Sequence, residues 1–240
     1  MKFINKYKSP NFNNRKKNSS IDFIIIHYTA MRTDIEALNF LTDKKNKVSS
    51  HFLINKRGKI YKLVDIKYRA WHAGLSCWKN IQDINSKSIG IEIDNSGHLL
   101  DFENYTKIQI TSLIKLLKYL VKEYNIKYDS ILGHSDIAPY RKIDPGEKFP
   151  WHIMLEFKKK KIDSGHNIIK KPIFKSLKKN SLYMLCEIGY DTSLAHKNKK
   201  KFIQLIKIFQ MHHRRSLVSG LLDYDTYKII LKKFNELLTI

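Results

Sequence analysis

"IDFIIIHY", residues 21–28, is an apolar, β-branched run closed by a histidine and a tyrosine. A run this short and this apolar reads as a strand buried on both faces. "SIGIEIDN" (88–95) repeats the pattern, and "SILGH" (130–134) is a shorter strand of the same kind. Helix signals lie between them. Thr33 and Glu36 form a T-x-x-E capping box ahead of Ile35, Leu38 and Leu41. Thr106 and Gln109 open a long helix whose apolar positions, Ile110, Leu113, Ile114, Leu117, Leu120, Val121 and Tyr124, recur at helical spacing. "SHFLINK" and "KIYKLVD", joined across Arg57-Gly58, predict a hairpin. Alternating strands and helices predict an α/β domain over 21–160, with a mixed central sheet flanked by helices.

The flanks read differently. Residues 1–20 are polar and basic, and a mobile tail is expected there. The break at "KKKKIDSGHNIIKKP" (158–172) predicts a linker, assigned to 161–175. Beyond it, 176–240 reads as a small three-helix domain. Asn180 serves as the N-cap and Gly189 as the stop of its first helix, followed by apolar stripes through Phe202, Leu205, Ile206 and Phe209 and through Tyr227, Ile230, Leu231, Phe234 and Leu238.

The net charge of +23 invites a nucleic-acid reading, but 38 of the 45 basic residues are lysine. Arginine does most base reading and bidentate phosphate binding, so a sequence-specific nucleic-acid partner is not expected. Compositional bias accounts for the lysines. Cys77 and Cys186 lie far apart and imply no disulfide. No run of about 18 apolar residues exists, so no membrane span is expected. The N-terminus shows neither a signal-length apolar run nor a cysteine to carry lipid, which by sequence predicts the cytoplasm. A monomer is the expected state.

A catalytic zinc needs three protein ligands and one open position. His27 and His134 each end a strand, where clefts form in open α/β sheets, and they make a credible pair. A lone histidine beside an apolar strand is more often hydrogen-bonded packing than a ligand. Two at strand ends shift that balance. The residues leave the third ligand open between Asp136, which shares a face with His134 if the chain is extended, and Asp144, which Pro145-Gly146 would hold in a turn. Glu92, in the strand "GIEID", is a carboxylate that needs a partner or a task, and general base is such a task. Lys142, two residues before Asp144, is a candidate partner for a developing oxyanion. Tyr28, Thr29, Trp71 and His72 are candidates for a substrate groove, Trp71 reading equally as core. His51 reads either as a support for a ligand or as the closure of the hairpin.

Taken together, "IIIHYTA", "SSHFLI", "AWHAG", "SIGIEIDN", "GHSDIAPYRKIDPGEKFPW" and the later "GYD" and "FQMHHR" resemble the zinc-dependent N-acetylmuramoyl-L-alanine amidases of the amidase_2 type. They are most similar to the AmiD-like branch, which adds a helical peptidoglycan-binding module. The resemblance spans residues ~20 to 240 in consistent order. It implies one Zn2+ held by His27, His134 and Asp144, with Glu92 as catalytic base and Lys142 stabilising the transition state, and supporting roles for Asp136 and Asp94. The implied reaction is hydrolysis of the amide between N-acetylmuramic acid and L-alanine in peptidoglycan or muropeptides. AmiD-like proteins are exported lipoproteins, whereas recycling relatives act on cytosolic muropeptides. A non-catalytic peptidoglycan-recognition protein of the same fold is the competing reading. The presence of all five residues favours catalysis.

Overall fold

The computed structural model describes residues 1–153 and 174–238. Its strands are β1 (Phe12–Asn14), β2 (Phe23–Tyr28), β3 (Phe52–Ile54), β4 (Ile60–Lys62), β5 (Tyr68–Ala70), β6 (Ser88–Ile93) and β7 (Ile131–Gly133). The helices among them are α1 (Asp34–Thr42), α2 (Ile84–Lys87), α3 (Lys107–Tyr124) and α4 (His134–Ile137). α5 (Phe174–Ile188), α6 (Ser193–Lys197), α7 (Lys199–His213) and α8 (Tyr224–Leu238) follow. Five strands form a mixed sheet in the order β4-β3-β6-β2-β7, parallel except for the expected β3-β4 hairpin.

Strand period dictates the layers. Ile24 and Ile26 of β2 and Ile89, Ile91 and Ile93 of β6 pack with Leu113, Leu116, Leu117 and Leu120 of α3. The Thr106–Gln109 capping box forms in full and starts α3. Phe23 and Ile25 point to the other face, where they join Leu182, Leu185, Leu205 and Phe209 of the C-terminal helices. On that second face, nearer β3, α1 packs Ala37, Leu38 and Leu41 against Leu53 and Tyr61. The helices after residue 173 therefore share a core with the sheet. The expected linker lies outside the described residues except for its last two, which open α5. Asn180, expected to cap a helix, sits inside α5, while Gly189 does follow its last residue. Among the described residues, no helix is long and apolar enough to cross a membrane.

The expectation of a mobile tail over 1–20 is overturned. β1 pairs antiparallel with β5. The Ser9 hydroxyl donates to Leu41 O at 2.6 Å, and the Asn11 amide donates to Asp43 O and Val48 O. The Arg15 guanidinium donates to the carbonyls of Ile66, Asn85, Ser86 and Ser88 at 2.8–3.1 Å. Burial lowers its pKa to about 10, which leaves it cationic at neutral pH. Such a segment is held by polar side chains that satisfy loop carbonyls, and hydrophobic periodicity carries no trace of that. Arg15→Met is expected to cost about 2 kcal/mol in urea unfolding, because it strands buried carbonyls that a charged donor had satisfied. An unchanged midpoint would return the segment to a tail.

Candidate active site

β2 and β6 pair in register, His27 opposite Glu92. Because α3 takes the face of Ile26 and Ile91, His27 and Glu92 both fall on the opposite face, at the strand ends. β7 lies on the other side of β2 and delivers His134 as the first residue of α4. Asp144 returns to this turn, its carbonyl accepting from the Ser135 amide at 2.9 Å.

Three donor atoms converge here. His27 Nδ1 and His134 Nδ1 are 3.0 Å apart, and Asp144 Oδ2 lies 3.2 Å from the first and 3.0 Å from the second. Ligand atoms about 2.0 Å from a tetrahedral zinc are about 3.3 Å from one another, so the three sites span one face of such a coordination shell. All three residues are buried, and they form a candidate metal cluster among the described residues.

Hydrogen bonding assigns the tautomers. Ser88 Oγ donates to Ile84 O at 2.6 Å and so accepts from His72 Nε2 at 3.2 Å. His72 Nδ1 is then an acceptor and takes the proton of His27 Nε2 at 3.1 Å. That leaves His27 Nδ1 with a lone pair aimed at Asp144 and His134. His134 Nε2 donates to Ala73 O at 3.0 Å, which frees its Nδ1 in the same way. Burial, with His134 beside it, pushes His27 down to about 4, and burial next to His27 holds His72 well below its ordinary value. Burial alone would raise Asp144, but His134 and His27 outweigh it and hold the carboxyl below the usual carboxylate range. Neutral His27 and ionised Asp144 are the forms a divalent cation requires.

Glu92 and Lys142 line the same cleft, of about 210 Å³, together with the three converging residues. Burial and the Asp144 charge raise the Glu92 carboxyl well above its ordinary value, and Lys142 opposes them. Glu92 Oε2 is buried with no hydrogen-bond partner among the described residues. An orphaned carboxylate oxygen in a cleft carries a cost that packing does not explain.

The expected groove residues divide. Tyr28, Thr29, Trp71 and His72 all line the cleft. His72 also backs His27, as above. The Trp71 indole N–H donates to Asn13 Oδ1 at 2.8 Å, so the N-terminal segment sets one wall. Thr29 Oγ1 donates to Asn95 O and accepts the Asn95 amide. His51 accepts the Gly90 amide on Nδ1 and donates to Tyr68 O from Nε2, away from the cleft. Gly90 shares the face of Glu92, and a Cβ there would meet the His72 ring at 2.5 Å. Small residues at 88 and 90, on the side of Glu92, were the signal in the sequence that a ring packs over this strand. Asp94 accepts the Lys56 amide through one oxygen, and its own carbonyl accepts from Gln109.

One arrangement has no local signal in the sequence. Tyr28 Oη meets His98 Nδ1 at 3.0 Å, and His98 Nε2 meets Glu147 at 2.9 Å, tying the β2 end to the loop after Asp144. Asp136, a rival for the third ligand, points away from the cleft into the C-terminal helices.

The sequence profile of the N-acetylmuramoyl-L-alanine amidases (Amidase_2) matches residues 17–147, more than half of the chain. The chain belongs to this amidase family. Among family members, it is 33% identical over 236 residues to the N-acetylmuramoyl-L-alanine amidase AmiD of Escherichia coli K12, covering 90% of this chain and 84% of that one. It is 32% identical over 166 residues to the 1,6-anhydro-N-acetylmuramyl-L-alanine amidase AmpD of Haemophilus influenzae, covering 62% and 88%. The structure of the E. coli amidase AmiD in complex with anhydro-N-acetylmuramic acid-L-Ala-D-γ-Glu-L-Lys superposes with a TM-score of 0.76 at 30% identity over 93% of both chains. AmpDh3 of Pseudomonas aeruginosa superposes with a TM-score of 0.75 at 28% identity over 100% of both. The likeness to these two structures covers the C-terminal helices as well as the mixed sheet and its helical layers.

Proposed function

We propose that this amidase cleaves the bond between N-acetylmuramic acid and L-alanine with one zinc ion held by His27 Nδ1, His134 Nδ1 and Asp144 Oδ2. The observation that carries the reading is the convergence of three donor atoms within 3.2 Å in the cleft that Glu92 lines with a buried oxygen unpartnered among the described residues. Zinc bound there would supply a Lewis acid and would bring the pKa of its water down to about 7. Glu92 takes a proton from the attacking water and delivers one to the leaving L-alanine nitrogen, a transfer suited to a carboxyl whose affinity for protons burial has raised. The Lys142 ammonium faces the negative charge that develops on the carbonyl oxygen. His72 and Ala73 O hold the two imidazoles in the tautomers that leave Nδ1 free.

Tyr28, Thr29 and Trp71 offer the sugar-peptide an aromatic and polar wall, and Met31, Phe40 and Val48 an apolar one. The likeness to the E. coli amidase bound to an anhydro-muropeptide makes that soluble class the first substrate to test, with intact sacculi beside it. Zinc-loaded chain is expected to release free stem peptide beginning at L-alanine, read by mass spectrometry, and to leave the glycosidic bonds intact. Binding of muropeptide without release of peptide would leave a recognition protein. Glycan binding by α5 to α8 is a separate proposal, tested by co-sedimentation of the full chain with sacculi.

A further inference from the structure

Asp136 belongs to the turn that carries His134, yet its carboxylate takes no part in the cleft. Its side chain is 1% exposed. Oδ2 accepts the Gly133 amide at 2.7 Å and His212 Nδ1 at 2.7 Å, and Oδ1 accepts the Tyr190 hydroxyl at 2.9 Å. Only the first of these donors comes from the sheet. Tyr190 follows α5, and His212 lies in the last turn of α7.

The turn held by this carboxylate carries His134 and is bonded to the backbone of Asp144. Gly133, anchored by Asp136, immediately precedes His134. Ser135, on the other side, donates its amide to the Asp144 carbonyl. The two donors from the C-terminal segment are themselves packed against the catalytic domain. The His212 ring stacks on Trp151 with centroids 3.7 Å apart, and Tyr190 meets Trp78 edge-on at 4.8 Å. A Cβ at Gly189 would lie 2.6 Å from Trp78, and Tyr140 donates to Asp191 O at 2.7 Å. Without the helices, a buried carboxylate would lose two of its three donors among the described residues, and the turn would lose the contacts that set its position.

We propose that Tyr190 and His212 are positioning residues of the metal site: through Asp136 they hold the His134 turn, so that the C-terminal helices complete the catalytic unit. This makes the helical segment a structural partner of the chemistry, whatever it does with glycan. The inference rests on the zinc reading above.

The test uses the full chain and measures zinc affinity by competition with a chromophoric chelator, alongside thermal unfolding. His212→Ala is expected to weaken zinc about tenfold, at the lower end of what loss of an outer hydrogen-bond partner does to a metal site. His212→Asn, whose Nδ2 can occupy the place of the imidazole Nδ1–H, is expected to recover most of that loss. Tyr190→Phe removes one oxygen only and is expected to weaken zinc severalfold, which decides the matter if His212→Ala fails to fold. A merely structural role would lower the melting temperature and leave zinc affinity of the folded protein unchanged, and that result overturns the inference. Wild type that binds no zinc overturns the zinc reading itself.

Discussion

Glu92→Gln is expected to lower kcat for amide hydrolysis about 10²- to 10⁴-fold, the range attributed to a positioned acid-base group, with zinc content unchanged. Glutamine keeps the shape and the sheet position opposite His27 but cannot take the proton of the attacking water. A role in proton transfer accounts for a carboxylate oxygen that is buried with no hydrogen-bond partner among the described residues. Steady-state rates on a soluble muropeptide, with metal analysis of the same sample, give the answer. A variant with wild-type kcat would remove Glu92 as the base, and one that has lost its zinc would show the residue to be part of the metal cradle.

Much of this site was legible from periodicity alone. Once Ile24, Ile26, Ile89 and Ile91 are assigned to one helical layer, His27 and Glu92 must share the other face. The third side chain of the candidate cluster was not legible from the residues, because Asp136 and Asp144 are equally plausible in an extended segment. His134 to Ile137 is a helical turn, so the Asp136 side chain swings behind the strand and Asp144 alone reaches the histidines. The resemblance to the family points to Asp144, and the turn brings its carboxylate, not that of Asp136, beside the two histidines. The N-terminal segment and Asn180 were misread for related reasons. Arg15 is held by carbonyls that only the folded loops bring together, and Asn180 has a good capping side chain in a helix that starts earlier. His98 and Glu147 are 49 residues apart, and no local pattern joins them to Tyr28.

On the proposed zinc site, removing the metal or the His27 side chain is expected to have the largest effect of all. A chelator that strips zinc, or His27→Ala, is expected to lower the rate at least about a thousandfold, since several kcal/mol of charge stabilisation in the transition state leave with the ion. The two should differ on repletion: added zinc restores the stripped wild type, whereas His27→Ala, with its His72 and Asp144 partners left facing a gap, stays inactive. Stability should follow the metal too. His27 Nδ1, His134 Nδ1 and Asp144 Oδ2 come within 3.2 Å of one another only in the folded chain, so the proposed zinc would bind the native state and not the unfolded one. Zinc at about 100 times its dissociation constant adds about 2.7 kcal/mol by mass action. In a chain of this length that amounts to a rise in Tm of roughly 5–10 °C. A melting curve indifferent to zinc, together with chelator-resistant hydrolysis, would sink the metal reading, and Glu92 would then have to act with Lys142 alone.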